Sequence, residues 1–243
     1  MIINHLKGLI SAPFTHTLKN GDIETSKIPE YFQLLLSNNI SGAFICGSTG
    51  EGVSLTLDEK MEIAEAWASA TKNHPDFKVM TLVGGNCIKD AITLAKHAQS
   101  VGLYAVAFTS PSYFKPQNVE ILGDICHQIA SEISNTPFYY YHIPVLTEVY
   151  FSMFNLLRQI HGKIPNFAGI KFTHEDFMDF SQCVAFENEK YDILWGRDEC
   201  WLSALAAGAK GAVGSTFNYA APLYHQITEA FENGDLKKAQ KLQ

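Results

Sequence analysis

Short apolar runs bounded by glycine or proline alternate eight times with stretches of helical periodicity, and this rhythm limits the possible folds more than any other feature. The runs are GLISAPFT (8–15), SGAFICGST (41–49), FKVMTLVGG (77–85), YAVAFTSPSY (104–113), PFYYYHIP (137–144), FAGIKFT (167–173), YDILWGRDE (191–199) and GAVGST (211–216). They read as continuous apolar strands, as expected when both faces are covered. A helical stretch follows each. The second, TLDEKMEIAEAWASATKN, opens with Thr56 as N-cap and Glu59 three residues on; the eighth, PLYHQITEAFENG, opens at Pro222. Strands alternating with helices pair in parallel through crossovers. Eight such units in 243 residues predict one domain over residues 1–243, an α/β chain closed into a (β/α)8 TIM barrel. A doubly wound open sheet is the competitor, but no G-x-G-x-x-G follows the first strand, and GSTGEG (47–52) lacks the lysine and spacing of a P-loop.

Composition narrows the function. The formal net charge is −7 with no run of lysine and arginine, so no stripe is present to neutralise nucleic-acid phosphates. No apolar run approaches the roughly 20 residues that span a bilayer. The opening MIINHLKGLISAPFTH lacks a basic segment leading into a long apolar core and does not read as a signal peptide. The five cysteines stand far apart without a C-x-x-C pair, and the nine histidines show no metal-ligand spacing. The expectation is a reduced, cytoplasmic protein that uses no metal and no organic cofactor, and takes neither nucleic acid nor membrane as partner.

In (β/α)8 barrels the chemistry sits at the carboxyl ends of the strands. The polar residues there are Thr15, Ser48, Thr49, Glu51, Tyr113, Tyr141, His142, Lys171, Thr173, Asp198, Glu199, Ser215 and Asn218. Lys171 stands out. A lysine near a strand end ordinarily lifts its ammonium into solvent, but at a barrel mouth burial lowers its pKa. The neutral amine can then attack a carbonyl to form an imine. An iminium on a 2-keto acid is an electron sink for cleaving the C3–C4 bond. That step needs a proton acceptor at the C4 hydroxyl and donors for the carboxylate. Tyr139 and Tyr141 share one strand face and Tyr140 takes the other; Tyr141 lies nearest the mouth. Tyr139, Tyr140 and His142 read as core. GSTGEG supplies backbone amides through its glycines and hydroxyls from Ser48 and Thr49, although such a hexapeptide is by itself an ordinary turn.

The ordered set GSTGE, YYYHIP, GIKFT, GRDE and GSTFN, each at its own strand, resembles the N-acetylneuraminate lyase branch of the dihydrodipicolinate synthase superfamily, from about Leu6 to the last residue. The resemblance implies a class I, Schiff-base aldolase on a (β/α)8 barrel that cleaves N-acetylneuraminate to N-acetylmannosamine and pyruvate. It implies Lys171 as the imine-forming residue and Tyr141 as acid and base at the C4 oxygen. Ser48 and Thr49 would hold the carboxylate. Tyr113 would reach a neighbouring subunit's site, and Thr173, Gly196, Asp198, Glu199 and Ser215 would bind the hydroxyl chain. Asp198 and Glu199 also have an ordinary use, as acids favouring the start of the helix that follows. The family is commonly tetrameric, so a homo-oligomer is expected, with a keto-sugar acid and pyruvate as its small-molecule partners.

Synthases of this superfamily follow the catalytic tyrosine with Asn-Val-Pro-Gly-Arg, whose arginine grips a second carboxylate. Val145 and Leu146 stand in those last two places, and Ser48 stands where synthases usually have threonine. Both favour the lyase branch. Glu148 replaces a usual glycine, and Arg197 occupies a variable place between Gly196 and Asp198; either could retune the sugar that fits. The chain stops at DLKKAQKLQ, so the family's C-terminal helical extension reads as truncated in or just after the eighth helix. The alternatives are an aldolase for another 2-keto-3-deoxy sugar acid, a synthase-like enzyme, and a non-catalytic keto-acid-binding protein. The last would need neither Lys171 nor Tyr141.

Overall fold

A computed structural model describes residues 3–243. Eight parallel strands close in chain order into a barrel: β1 (Gly8–Ser11), β2 (Gly42–Ile45), β3 (Lys78–Leu82), β4 (Ala105–Phe108), β5 (Phe138–His142), β6 (Phe167–Phe172), β7 (Asp192–Trp195) and β8 (Gly211–Gly214). β8 returns to β1, with Leu9 opposite Ala212 and Ile10 opposite Val213. All eight predicted strands are present. The helices between them are α1 (Ile28–Ser37), α2 (Leu57–Thr71), α3 (Ile88–Ser100), α4 (Val119–Ala130), the single turn α5 (Pro144–Thr147), α6 (Met153–Ile160), α7 (Phe177–Ala185) and α8 (Trp201–Ala206). α9 (Phe217–Glu232) follows β8, and α10 (Leu236–Leu242) packs against it, one helix beyond the eight units.

Local sequence explains these boundaries. Thr56 accepts the amide of Glu59 while the Glu59 carboxylate accepts the amide of Thr56 at 2.7 Å, the reciprocal cap expected at the start of α2. Asn118, Ser152 and Asp176 cap α4, α6 and α7 through the same type of side-chain bond. The eighth helix departs from expectation: α9 starts at Phe217, five residues before Pro222, which lies inside it. The Asn218 side chain explains the early start, because it ties the first turn to β1 and to the loop before the helix, as described below.

The core has two layers. Outward-facing residues of the strands pack under the helices around Phe32, Trp67, Phe138, Phe172 and Trp195. Inward-facing residues fill the barrel with Ile10, Phe44, Met80, Tyr139, Leu194 and Val213. The interior is therefore solid below and can open only at the ends, which sends function to the loops.

Candidate active site

Tyr141 and Lys171 are directly opposed across the β5–β6 pairing. That placement depends on an irregularity. Phe138 pairs with Phe167, but Tyr139 pairs with Gly169, so β6 carries one extra residue, Ala168. Counting by twos from the outward-facing Phe167 would send Lys171 outward as well. The bulge reverses the alternation and aims Lys171 into the barrel beside Tyr141. Tyr139 also faces inward and Tyr140 outward, as the period of two predicts.

Lys171 is only 4% exposed. Its Nζ lies 3.9 Å from the centre of the Phe44 ring and 4.1 Å from that of Tyr141. Burial brings its pKa down to about 7, and the Asp198 carboxylate pulls weakly the other way. A large share of this amine is therefore neutral near pH 7. Tyr141 is buried too, and burial raises its pKa against the pull of the Ser48 and Thr173 hydroxyls. Its hydroxyl lies 3.5 Å from Ser48 Oγ. Thr173 Oγ1 is buried beside it without completing a hydrogen bond. Phe44, the apolar wall that lowers the lysine, has no signal in the sequence beyond an inward place on β2.

The GSTGEG loop is a rigid turn. Cys46 adopts left-handed backbone (φ 54) at the end of β2. The chain then folds back through Gly52 N–H to the Gly47 carbonyl at 3.0 Å and Glu51 N–H to the Ser48 carbonyl at 3.1 Å. A Cβ on Gly52 would sit 1.9 Å from the Cys46 carbonyl oxygen, so only glycine closes the turn. Thr15 donates to the Gly50 carbonyl at 2.7 Å and clips the loop to the end of β1. Ser48 is exposed and Thr49 half-buried at its apex.

The residues expected to hold a hydroxyl chain follow β6, β7 and β8. Thr173 is buried, and Gly196 is its necessary neighbour: a Cβ there would meet Thr173 Oγ1 at 1.8 Å. Asp198 is 5% exposed, and its Oδ2 accepts the Thr216 amide at 2.7 Å together with the Thr216 hydroxyl. It thus locks the loop after β8 rather than capping α8, and among the described residues its Oδ1 accepts no hydrogen bond. Glu199 is exposed at 3.8 Å from Arg197 Nε. Ser215 is half-buried. Its carbonyl accepts from Asn218 Nδ2 at 2.7 Å, and the same amide donates to the Ala12 carbonyl at 2.7 Å. Asn218 Oδ1 accepts from Tyr31 at 2.6 Å and from Ser11. Asn218 and Thr216 are the positioning residues that the sequence reading left without a role.

Tyr113 is 79% exposed and packs edge-on against Phe114. Among the described residues it makes no hydrogen bond to Tyr141, so one chain alone does not bring the two together. His142 faces the helices between Tyr140, Phe172 and His174, and burial lowers its pKa to about 3. Glu148 has φ 54, which explains why glycine is usual there, and its carboxylate accepts from Lys115 at 2.6 Å. Val145 and Leu146 are exposed on α5. Among the described residues no cluster of histidine, cysteine and acidic side chains could hold a metal ion, and no helix is long and apolar enough to cross a membrane.

The pattern of the Dihydrodipicolinate synthetase family matches residues 5–243. N-acetylneuraminate lyase A of Xenopus laevis is 41% identical over 239 residues, 98% of this chain and 78% of that one. N-acetylneuraminate lyase of Rattus norvegicus is 41% identical over 236 residues, 96% of this chain and 73% of that one. Among solved structures, the Proteus mirabilis N-acetylneuraminate lyase superposes with a TM-score of 0.95 at 35% identity, covering 98% of this chain and 80% of the other.

Proposed function

The chain belongs to the dihydrodipicolinate synthetase family, and we propose that it is a Schiff-base aldolase cleaving N-acetylneuraminate to N-acetylmannosamine and pyruvate. The observation that carries the reading is Lys171, an amine with a pKa of about 7 buried opposite Tyr141 at the mouth of the barrel.

The neutral Lys171 Nζ attacks C2 of the open-chain keto acid, and loss of water gives the iminium. The carboxylate lies in the GSTGEG turn against the hydroxyls of Ser48 and Thr49. Tyr141 accepts the C4 hydroxyl proton as the C3–C4 bond breaks, passing its own proton on, with Ser48 Oγ, 3.5 Å away, as the relay. The bonding pair moves into the iminium to give an enamine, and the aldehyde leaves. Protonation at C3 and hydrolysis return pyruvate and free Lys171. Thr173, Asp198, Glu199 and Ser215 hold the hydroxyl chain, with Asp198 Oδ1 free to accept. Gly196 leaves room for Thr173. The cycle balances without a metal or an organic cofactor.

The reading includes a cytoplasmic homotetramer in which the exposed Tyr113 supports the Tyr141 of a neighbouring copy. Analytical ultracentrifugation tests the assembly. The direct test of function is pyruvate release from N-acetylneuraminate, with Lys171→Ala as control. Release that is lost in the variant is the expected result. Borohydride trapping of pyruvate without release from this sugar would transfer the reading to another 2-keto-3-deoxy sugar acid.

A further inference from the structure

Two neighbouring loops carry the proposed substrate site. The loop after β6 follows Lys171 and holds Thr173, and the loop after β7 holds Gly196, Asp198 and Glu199. Besides the backbone bond from Gly196 N–H to the Phe172 carbonyl, an ion pair joins the two loops: Arg197 Nη1 lies 2.8 Å from Glu175 Oε1. The other oxygen of Glu175 faces His174 Nδ1 at 3.4 Å. Arg197 Nε is buried without a hydrogen-bond partner, 3.8 Å from the Glu199 carboxylate. The Arg197 backbone is fixed as well, because its carbonyl accepts the indole N–H of Trp195. Its side chain is 30% exposed and that of Glu175 51%, so the pair is partly screened by solvent.

The charge arrangement gives this contact its purpose. Glu175, Asp198 and Glu199 put three carboxylates on two adjoining loops, and like charges there would splay them. Arg197 bonds Glu175 at 2.8 Å and stands 3.8 Å from Glu199, so its guanidinium is shared by the two loops. We propose that Arg197 is a positioning residue for the distal, polyhydroxylated part of the substrate: its guanidinium straps the β7 loop to Glu175 and so fixes Asp198 and Glu199 over the site. The inference rests on the aldolase reading above. It concerns only the sugar end. Lys171 is held by regular pairing to Tyr141 and Leu194 and does not depend on the strap.

The test compares Arg197→Met, Glu175→Gln, the double variant and Arg197→Lys. Cleavage of N-acetylneuraminate gives KM, and borohydride trapping gives the pyruvate concentration for half-maximal adduct. Each single variant is expected to raise KM roughly 3- to 10-fold while half-trapping by pyruvate changes less than about twofold. The double variant should be no worse than either single one, and Arg197→Lys should recover part of the loss. Unchanged KM, additive losses, or equal loss in trapping and KM would overturn the strap. If the parent protein traps pyruvate but does not cleave this sugar, the substrate assignment fails alone. The strap is then read from amide exchange over residues 196–199, where faster exchange in Arg197→Met and Glu175→Gln supports it and unchanged exchange refutes it.

Discussion

The state of the Lys171 amine can be tested separately from the sugar. Burial takes its pKa from the usual 10.5 to about 7. At pH 7.5 an unburied lysine is neutral in about one molecule per thousand; with a pKa near 7 roughly three-quarters are neutral. The site therefore gains roughly 10³-fold in reactive amine, worth about 4 kcal/mol in the attack step. The assay is the second-order rate of borohydride-trapped pyruvate adduct, followed by mass spectrometry from pH 5 to 10. The rate should rise with pH and level off with a midpoint near 7. Asp198→Asn supplies the perturbation, because the Asp198 carboxylate is the one charge that raises the lysine. Its removal should move the midpoint down. Pyruvate lacks the hydroxyl chain, so the proposed sugar contacts of Asp198 do not enter the measurement. A wild-type rate still climbing at pH 10, or a midpoint that moves up in Asp198→Asn, would refute burial as the activating cause.

Tyr141→Phe should keep the pyruvate adduct and lose turnover by about 10²–10⁴; steady-state and trapping assays on one preparation separate the two effects. Gly196→Ala drives a methyl group into Thr173 Oγ1, and should cost about 1–3 kcal/mol in a urea melt and raise KM for the sugar. At the other end of the barrel, Asp192 is buried, accepts from Tyr139 at 2.8 Å, and has its carboxyl pKa raised to about 7 by burial. The folded chain then holds a proton there that the unfolded chain releases above pH 4. Its stabilisation is full below that pH and fades as pH rises through 7, by up to about 1.4 kcal/mol per unit. Asp192→Asn should remove this slope, and equal slopes in urea melts from pH 4 to 7 would contradict it.

Much of this was readable from the chain. The alternation of apolar runs and helical stretches contains the whole barrel, because parallel strands covered on both faces leave a strong apolar signal. The mouth follows from topology alone, which is how Lys171, Tyr141 and Ser48 came together as candidates. The bulge at Ala168 was not readable: a one-residue slip is settled by how strands pack, and simple alternation from Phe167 would have turned Lys171 outward. The role of Asn218, though not its place at the mouth, was hidden for a related reason. The residue lies beside Pro222, which reads as a helix start, while the real first turn begins at Phe217 on contacts to residues some two hundred positions away.

The same alternation that fills the barrel also sorts its polar groups by depth. On β5, Tyr139 and Tyr141 both face inward, one layer apart. The lower tyrosine meets Asp192 of β7, and the upper meets Lys171 of β6. Each charge-bearing partner is pushed towards its neutral form, the acid upward and the amine downward, because burial penalises the charged form more than the opposite charges, Lys210 for the acid and Asp198 for the amine, favour it. For Asp192 this favours the protonated carboxyl below about pH 7, at the bottom of the barrel where it accepts from Tyr139 and from the Leu6 amide. For Lys171 it makes a nucleophile, and the difference is access: the layer above Lys171 is loop rather than strand, and ends in the Ser48 turn. One physical effect thus gives the barrel its floor and its chemistry, and the Ala168 bulge decides that the amine faces the second of these roles.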